Sequence, residues 1–561
     1  MGGTSPAVRD EAAPHIGTER RGAVVAALML AMALAALDAT IVSTAVPQIV
    51  GDLGGFSVFS WLFSGYLLAV TVSLPVYGKL SDTFGRKPVL VAGASVFLLG
   101  SLLCAASWNM GALIAFRVVQ GLGGGALQGT VQTLAADLYP LEQRPKIQAK
   151  LSTVWAVSAV AGPAVGGVLA AYADWRWIFL VNLPIGTVAV WLIARHLHEP
   201  QRTAKPAADQ GDTSRLACEG DVFRRGQEAE APVRARRGRF PGRRRGGRSS
   251  VRARAGCSRV PARDGRASVR ARVDWGGALA VFACGGVLLT ALVQGGVAWP
   301  WLSAPSLALF GAGLVLVAVV VLVERRAAEP IIPGWVWRRR TIVAVNLALG
   351  ALGLLMVAPT VFLPTYAQAV LGLGPVTAGF VLSVWTLSWP VSAAFSQHVY
   401  RRIGFRDTAL LGIGAAALIL LAFPFLPYPG APWQPTLLML LLGGALGLFQ
   451  LPLIVGVQST VGWSERGTTT ASVLFCRQSG QTVGAAVFGA VANGVLAGRL
   501  GGAGSLDAVA HGLDTGTASE TTRRAVADAV RAVYLGASCA AALAFVALLV
   551  LAPRRFPVRG E

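Results

Sequence analysis

The chain has 561 residues, of which 54% are hydrophobic and only 14% are charged, whereas about a quarter of the residues of a soluble globular protein carry charge. That composition excludes an ordinary water-soluble enzyme or binding domain. The net charge of +22 does not read as a nucleic-acid footprint, because the basic residues sit between long apolar runs, where a membrane protein needs them for orientation.

Apolar runs near or above the ~18 residues that cross a bilayer recur along the chain, and backbone groups in lipid bond internally only as helices. Fourteen spans are predicted, at 23–46, 58–78, 88–107, 111–137, 149–172, 177–197, 276–295, 303–323, 342–363, 376–396, 408–427, 434–456, 471–495 and 530–552. The first run is longer than the core of a signal peptide and has no small-residue cleavage site, so it reads as a span. Lys and Arg collect in alternate loops: Arg20 and Arg21, then Lys79, Arg86 and Lys87, then Arg144, Lys146 and Lys150, and so on to Arg554 and Arg555. Arg176 and the long segment 496–529 are the exceptions. With an even number of spans, this alternation predicts both termini in the cytoplasm.

The resulting organisation is a cytoplasmic tail at 1–22, a six-helix bundle at 23–198, an Arg-rich loop at 199–274, two linking helices at 275–324, a second six-helix bundle at 341–552 and a tail at 553–561. The Arg-rich loop is nearly free of aromatics and far longer than a usual connection, which predicts disorder. It reads as a solvated linker or insertion, or as an arm attracted to anionic headgroups or nucleic acid; the linker reading has more weight, and no nucleic-acid partner is expected. Six cysteines and five histidines show neither CxxC pairs nor ligand spacing, so no metal site is predicted.

Two charged residues stand inside the predicted spans of the first half, Asp38 in the first and Arg117 in the fourth. An ionisable group in that setting faces a cavity or a partner. At 1.5 Å per residue they lie ~12 Å and ~9 Å below the outer ends of their helices, so they are predicted to interact directly or through one neighbour. The functional reading is a carboxylate that exchanges a proton; the alternative is a static ion pair. Gln128, eleven residues beyond Arg117, falls on the same helical face, with Gly121, Gly125 and Gln132 nearby. Between the second and third spans, Gly78, Asp82, Gly85, Arg86 and Lys87 combine glycines for close approach with an acid–base pair. They form either a gate that changes partners or an ordinary basic loop.

The run Gly78-Lys79-Leu80-Ser81-Asp82-Thr83-Phe84-Gly85-Arg86-Lys87-Pro88 resembles the loop signature of the major facilitator superfamily. A worn second copy, Tyr400-Arg401-Arg402-Ile403-Gly404-Phe405-Arg406, stands where two six-helix halves joined by two extra helices would place it. Leu37-Asp38-Ala39-Thr40-Ile41-Val42-Ser43-Thr44-Ala45-Val46-Pro47 and Trp175-Arg176-Trp177-Ile178-Phe179-Leu180-Val181-Asn182-Leu183-Pro184-Ile185-Gly186 are similar to motifs of the fourteen-span drug:proton antiporters. Arg117-Val118-Val119-Gln120-Gly121 resembles the fourth-span motif linked to proton coupling. Gly162-Pro163-Ala164-Val165-Gly166-Gly167 is similar to the antiporter motif, with Ser158 in place of the usual Gly.

These resemblances imply an all-α polytopic protein of the major facilitator fold, multi-pass in the cell (cytoplasmic) membrane and monomeric. They imply export of small apolar or cationic drugs or antibiotics by alternating access, with Asp38 and Arg117 as the proton-coupling pair. A proton gradient drives it and no cofactor is expected. A dedicated exporter of one endogenous metabolite and a proton-coupled importer are the alternative readings. The candidates for a cargo cavity are Trp61, Tyr66, Gln128, Gln132, Tyr366, Gln368, Gln450, Gln458, Phe475 and Gln478, each by itself as readily packing as ligand. No GxxxxGK[ST] loop and no catalytic grouping in the spans points to an ATPase or a membrane enzyme.

Overall fold

A computed structural model describes residues 18–42, 45–54, 61–141, 143–197, 274–295, 299–327, 330–428, 430–500 and 519–557. The Arg-rich loop, apart from its last residue, and the outer parts of both tails lie outside the described residues. So does 501–518, most of the long outer segment.

The predicted spans reappear one for one as helices long and apolar enough to cross a membrane. They are α1 (Thr18–Ile41), α2 (Trp61–Phe84), α3 (Arg86–Ala105), α4 (Met110–Leu138), α5 (Arg144–Tyr172), α6 (Asn182–His196, which with the short helix Trp177–Leu180 before it makes the sixth span), α7 (Trp275–Gln294) and α8 (Ala304–Arg326). After these come α9 (Arg340–Val357), α10 (Pro375–Ile403), α11 (Phe405–Ala422), α12 (Trp433–Ser459), α13 (Trp463–Leu500) and α14 (Glu520–Leu551). The chain is thus a multi-pass membrane protein, all-helical among the described residues.

Helix ends differ from the apolar limits for local reasons. The first span was expected to reach residue 46, but α1 stops at Ile41. A separate short helix, Val46–Leu53, then starts with Pro47 in its first turn, where a missing N–H costs nothing. Beyond α9 the helix passes through a π turn at Ala358–Phe362, around Pro359, before Leu363–Ala369. That is the local widening expected where proline cannot donate to the ladder. α13 begins eight residues before its predicted start of 471, because polar residues at its beginning pack into protein instead of facing lipid.

Both bundles repeat one packing scheme, offset by eight helices. α2 packs on α4 as α10 does on α12, α3 on α4 as α11 on α12, α1 on α5 and α6 as α9 on α13 and α14. The turns between the second and third helix of each bundle match too. Gly85 has φ +102° and Gly404 has φ +91°, a backbone region that disfavours any side chain. The bundles meet along α2 with α13 and along α5 with α10, and α7 packs across the first seam onto both α2 and α13.

Helices in lipid gain little from apolar burial against each other, so close approach rests on small residues. On α4, Gly121 lies against the Tyr66 carbonyl and Gly123 against the Phe97 backbone. Gly123→Val is expected to wedge α3 from α4 and destabilise the protein by at least about 1–3 kcal/mol, the usual cost of overpacking. A lowered midpoint of thermal unfolding in detergent would register it, and an unchanged midpoint would refute the close-packing account of α4.

Candidate functional site

The first half encloses an ion pair. Asp38 is fully buried on α1 and Arg117 nearly so on α4. Arg117 Nη1 donates to Asp38 Oδ2 at 2.6 Å and to Gln120 Oε1 at 2.7 Å. Gln120 Nε2 donates in turn to Asp38 Oδ1 (2.8 Å) and to Ser101 Oγ (2.6 Å). From α6, Asn182 Nδ2 reaches Asp38 Oδ1 at 3.1 Å.

Helix geometry explains the convergence. Arg117 and Gln120 are three apart on α4 and share a face. Gly100 lets α3 approach until a Cβ there would stand 2.5 Å from the Gln120 Cα, which brings Ser101 into the cluster. The guanidinium lies 4.2 Å from the centre of the Tyr66 ring, a cation–π contact that supports a charge far from water. The carboxylate is thus held by one cation and two neutral amides. Arg117 also donates to the Leu62 carbonyl, at 3.4 Å, besides Gln120.

A second network closes the seam between the bundles at one end, hereafter the basic end. Asp82, buried near the end of α2, accepts the backbone N–H groups of Gly467 (2.9 Å) and Thr468 (2.7 Å) and the Thr468 hydroxyl (2.8 Å), all on α13. Arg86 Nε donates to Asp137 Oδ2 at 2.9 Å and Nη2 to the Trp463 carbonyl at 2.5 Å. It also pairs with Asp82 at 3.0 Å and lies over the Trp463 ring. Asp137 receives Arg466 as well, while Lys87 donates to the Ala194 carbonyl within the first bundle. Gly78 permits the approach, since a side chain there would strike Ala471 and the Gly467 carbonyl.

Gly162 on α5 faces Thr40 of α1 so closely that a Cβ would collide with it. The Thr40 hydroxyl donates to the Ser158 carbonyl at 3.0 Å. This ties α5 to α1 two residues from Asp38. Gly166 is buried in α5 and Gly167 has open space about it. Pro163 lies in the same helix, its side chain outside the described residues.

Away from the basic end, α2 and α13 part around a cavity of about 380 Å³. α2 contributes Ser64, Leu67 and Thr71, α9 and its continuation Val357 and Val361, and α13 Gln478, Gln481, Thr482 and Asn493. Leu289, Leu292 and Trp301 complete the wall from the linking helices and their connection.

Of the residues expected to face cargo, Gln478 lines this cavity. Phe475 borders a smaller pocket with Pro75 and Trp337, and Tyr66 belongs to the ion-pair site. Tyr366 packs edge-on to Phe423 at 5.2 Å, and Gln458 donates to the Thr470 hydroxyl at 3.1 Å. Gln128 is buried in α4, and Gln132, Trp61, Gln368 and Gln450 are half-buried outside this cavity.

Ser101, Gln120, Asn182 and Asp137 were not singled out from the sequence. Gln120 and Asn182 lie inside runs that were, but uncharged amides in apolar helices carry no mark that separates a ligand from a packing group.

The model of the Major Facilitator Superfamily matches residues 28–255 and 258–485. Multidrug resistance protein 3 of Bacillus subtilis (strain 168) is 29% identical over 478 residues, covering 85% of this chain and 80% of its own. Efflux pump dotC of Dothistroma septosporum (strain NZE10 / CBS 128990) is 31% identical over 468 residues, covering 81% and 68%. The crystal structure of the human organic anion transporter MFSD10 (TETRAN) superposes with a TM-score of 0.55 at 14% identity, over 95% of this chain and all of its own, a likeness of fold.

Proposed function

The chain belongs to the Major Facilitator Superfamily and is a transporter rather than an enzyme, and from that premise we propose that it exports small drug-like compounds in exchange for protons. The efflux and multidrug resistance names of its relatives support the cargo class and direction. The observation that supports the proton coupling is Asp38, a buried carboxylate whose cation partner Arg117 is already shared with a second acceptor, Gln120.

The steps follow from the contacts. With Asp38 ionised, Arg117 holds α1 to α4. A proton on Asp38 cancels the charge, weakens that pair and leaves Arg117 with Gln120. α1 is bonded to α5 through Thr40 and Ser158, and α5 packs on α10 of the other bundle, so a shift of α1 reaches the seam. The positive-inside rule assigns the basic end to the cytoplasm, which makes the closed Asp82–Arg86 network a cytoplasmic gate and this conformation outward-facing. Alternation then consists of breaking that network and sealing the opposite end.

Asp82→Asn replaces a charged acceptor of backbone N–H groups with a neutral one. Hydrogen bonds to charged groups contribute about 1.5–3 kcal/mol, so turnover is expected to fall by about tenfold or more while equilibrium cargo binding is kept. Initial efflux rates set beside binding isotherms check it; a loss of binding at unchanged turnover would remove Asp82 from the gate.

The proposal as a whole is tested in inverted membrane vesicles, with fluorescent compounds assayed for uptake before and after a proton uncoupler. Export by proton exchange stops on uncoupling, whereas an importer would deplete the compounds from such vesicles.

A further inference from the structure

We infer that the linking pair is part of the cargo site: α7 and the connection to α8 form a wall that selects uncharged amphipathic molecules. The inference rests on the export reading and extends it to the chemistry of the cargo. Among the described residues, those around the 380 Å³ cavity include no titratable side chain, and a fixed charge on a ligand would be left unpaired there at high cost. The volume lies in the ~300–1,000 Å³ range of small-molecule sites. Leu289, Leu292 and Trp301 contribute apolar lining from the linking pair, and Gln478 and Gln481 contribute polar lining from α13. A flat apolar body with one or two hydrogen-bonding groups complements that pairing.

The wall is built rather than incidental. Gly285 brings α7 against α2, where a Cβ would stand 2.8 Å from Val72 Cγ2. Gly313 of α8 admits Leu288 of α7 in the same way. Gly295 leaves room for the Trp301 ring, which a Cβ would meet at 2.6 Å, and Trp301 stacks on Phe310 of α8. α7 therefore closes the side of a gap between α2 and α13 that two bundles alone would leave facing lipid.

The test is saturation binding of Nile red, an uncharged apolar dye with a carbonyl acceptor, to the full-length protein in lipid nanodiscs. Two variants fill the cavity from opposite walls. Leu292→Trp acts from α7. Gly489→Leu acts from α13, where an added Cβ meets nothing within 4 Å, so the helix is not displaced. Leu314→Trp, on the exposed side of α8 (70% exposed), serves as control. Each cavity variant is expected to weaken binding at least about tenfold, the effect of losing one leucine-sized contact, with the control unchanged.

Affinity lost in Gly489→Leu alone would overturn the role of α7, and affinity unchanged in both, or no saturable binding to the wild-type protein, would overturn the site. Dye efflux by the wild-type protein is measured separately in vesicles. If it ignores the proton gradient, the export reading falls and the occupant is not cargo; if it follows the gradient while the variants bind normally, only the wall is refuted.

Discussion

Asp38→Asn is expected to reduce gradient-driven efflux to about a hundredth or less while the protein still inserts and folds. The asparagine is isosteric and can still accept from Gln120 and Asn182, which now reach Asp38 Oδ1. It cannot bind and release a proton, and it leaves the Arg117 guanidinium without its 2.6 Å counter-ion. Breaking one side of a buried pair costs about 3–5 kcal/mol, which is more than a hundredfold in an equilibrium between conformations. Efflux rates normalised to membrane-inserted protein measure the effect. Wild-type rates in this variant would reduce the pair to a structural strut.

Arg86→Met has the second-largest expected effect. The methionine keeps much of the apolar stem but removes the cation that faces Asp82, Asp137 and the Trp463 carbonyl together. Two buried carboxylates, from the end of α2 and the end of α4, then share the network, with Arg466 still paired to Asp137. With about 3 kcal/mol or more withdrawn from the closed gate, the inward-facing population rises by about a hundredfold. A cysteine placed at Ala471, buried against Gly78, reports it on a background without the native cysteines. Labelling by an impermeant maleimide from the basic side is expected to rise steeply in Arg86→Met, and equal labelling would show that the network does not hold the gate.

Much of the fold was legible because lipid imposes a rule that a sequence carries openly. Twenty apolar residues in a row have one stable form, and the arginines of alternate loops mark its ends. The boundaries that moved did so where that rule lapses. Residues Trp463 to Thr470 are polar enough to read as loop, yet they continue α13 because Asp82 binds the N–H groups of Gly467 and Thr468. Pro47 opens a new helix instead of ending the first span.

In the site, the charged members were visible from the expense of a charge in lipid, and the depths of Asp38 and Arg117 placed them within reach of each other. Their neutral partners were not, because Gln120 and Asn182 become ligands only through packing that Gly100 and neighbouring small residues permit. The cavity was the least legible part. Its walls come from helices far apart in the chain, and aliphatic Leu289 and Leu292 look like any lipid-facing leucine until α7 is seen lying across α2 and α13.

The most direct measurement is of protons themselves. Inverted vesicles with an acidic lumen, reporting on an internal pH dye, are expected to lose lumenal protons when cargo is added, and to do so only with Asp38 present. Cargo extrusion that runs undiminished after both the pH difference and the membrane voltage are abolished would contradict a carboxylate-borne proton as its driving step.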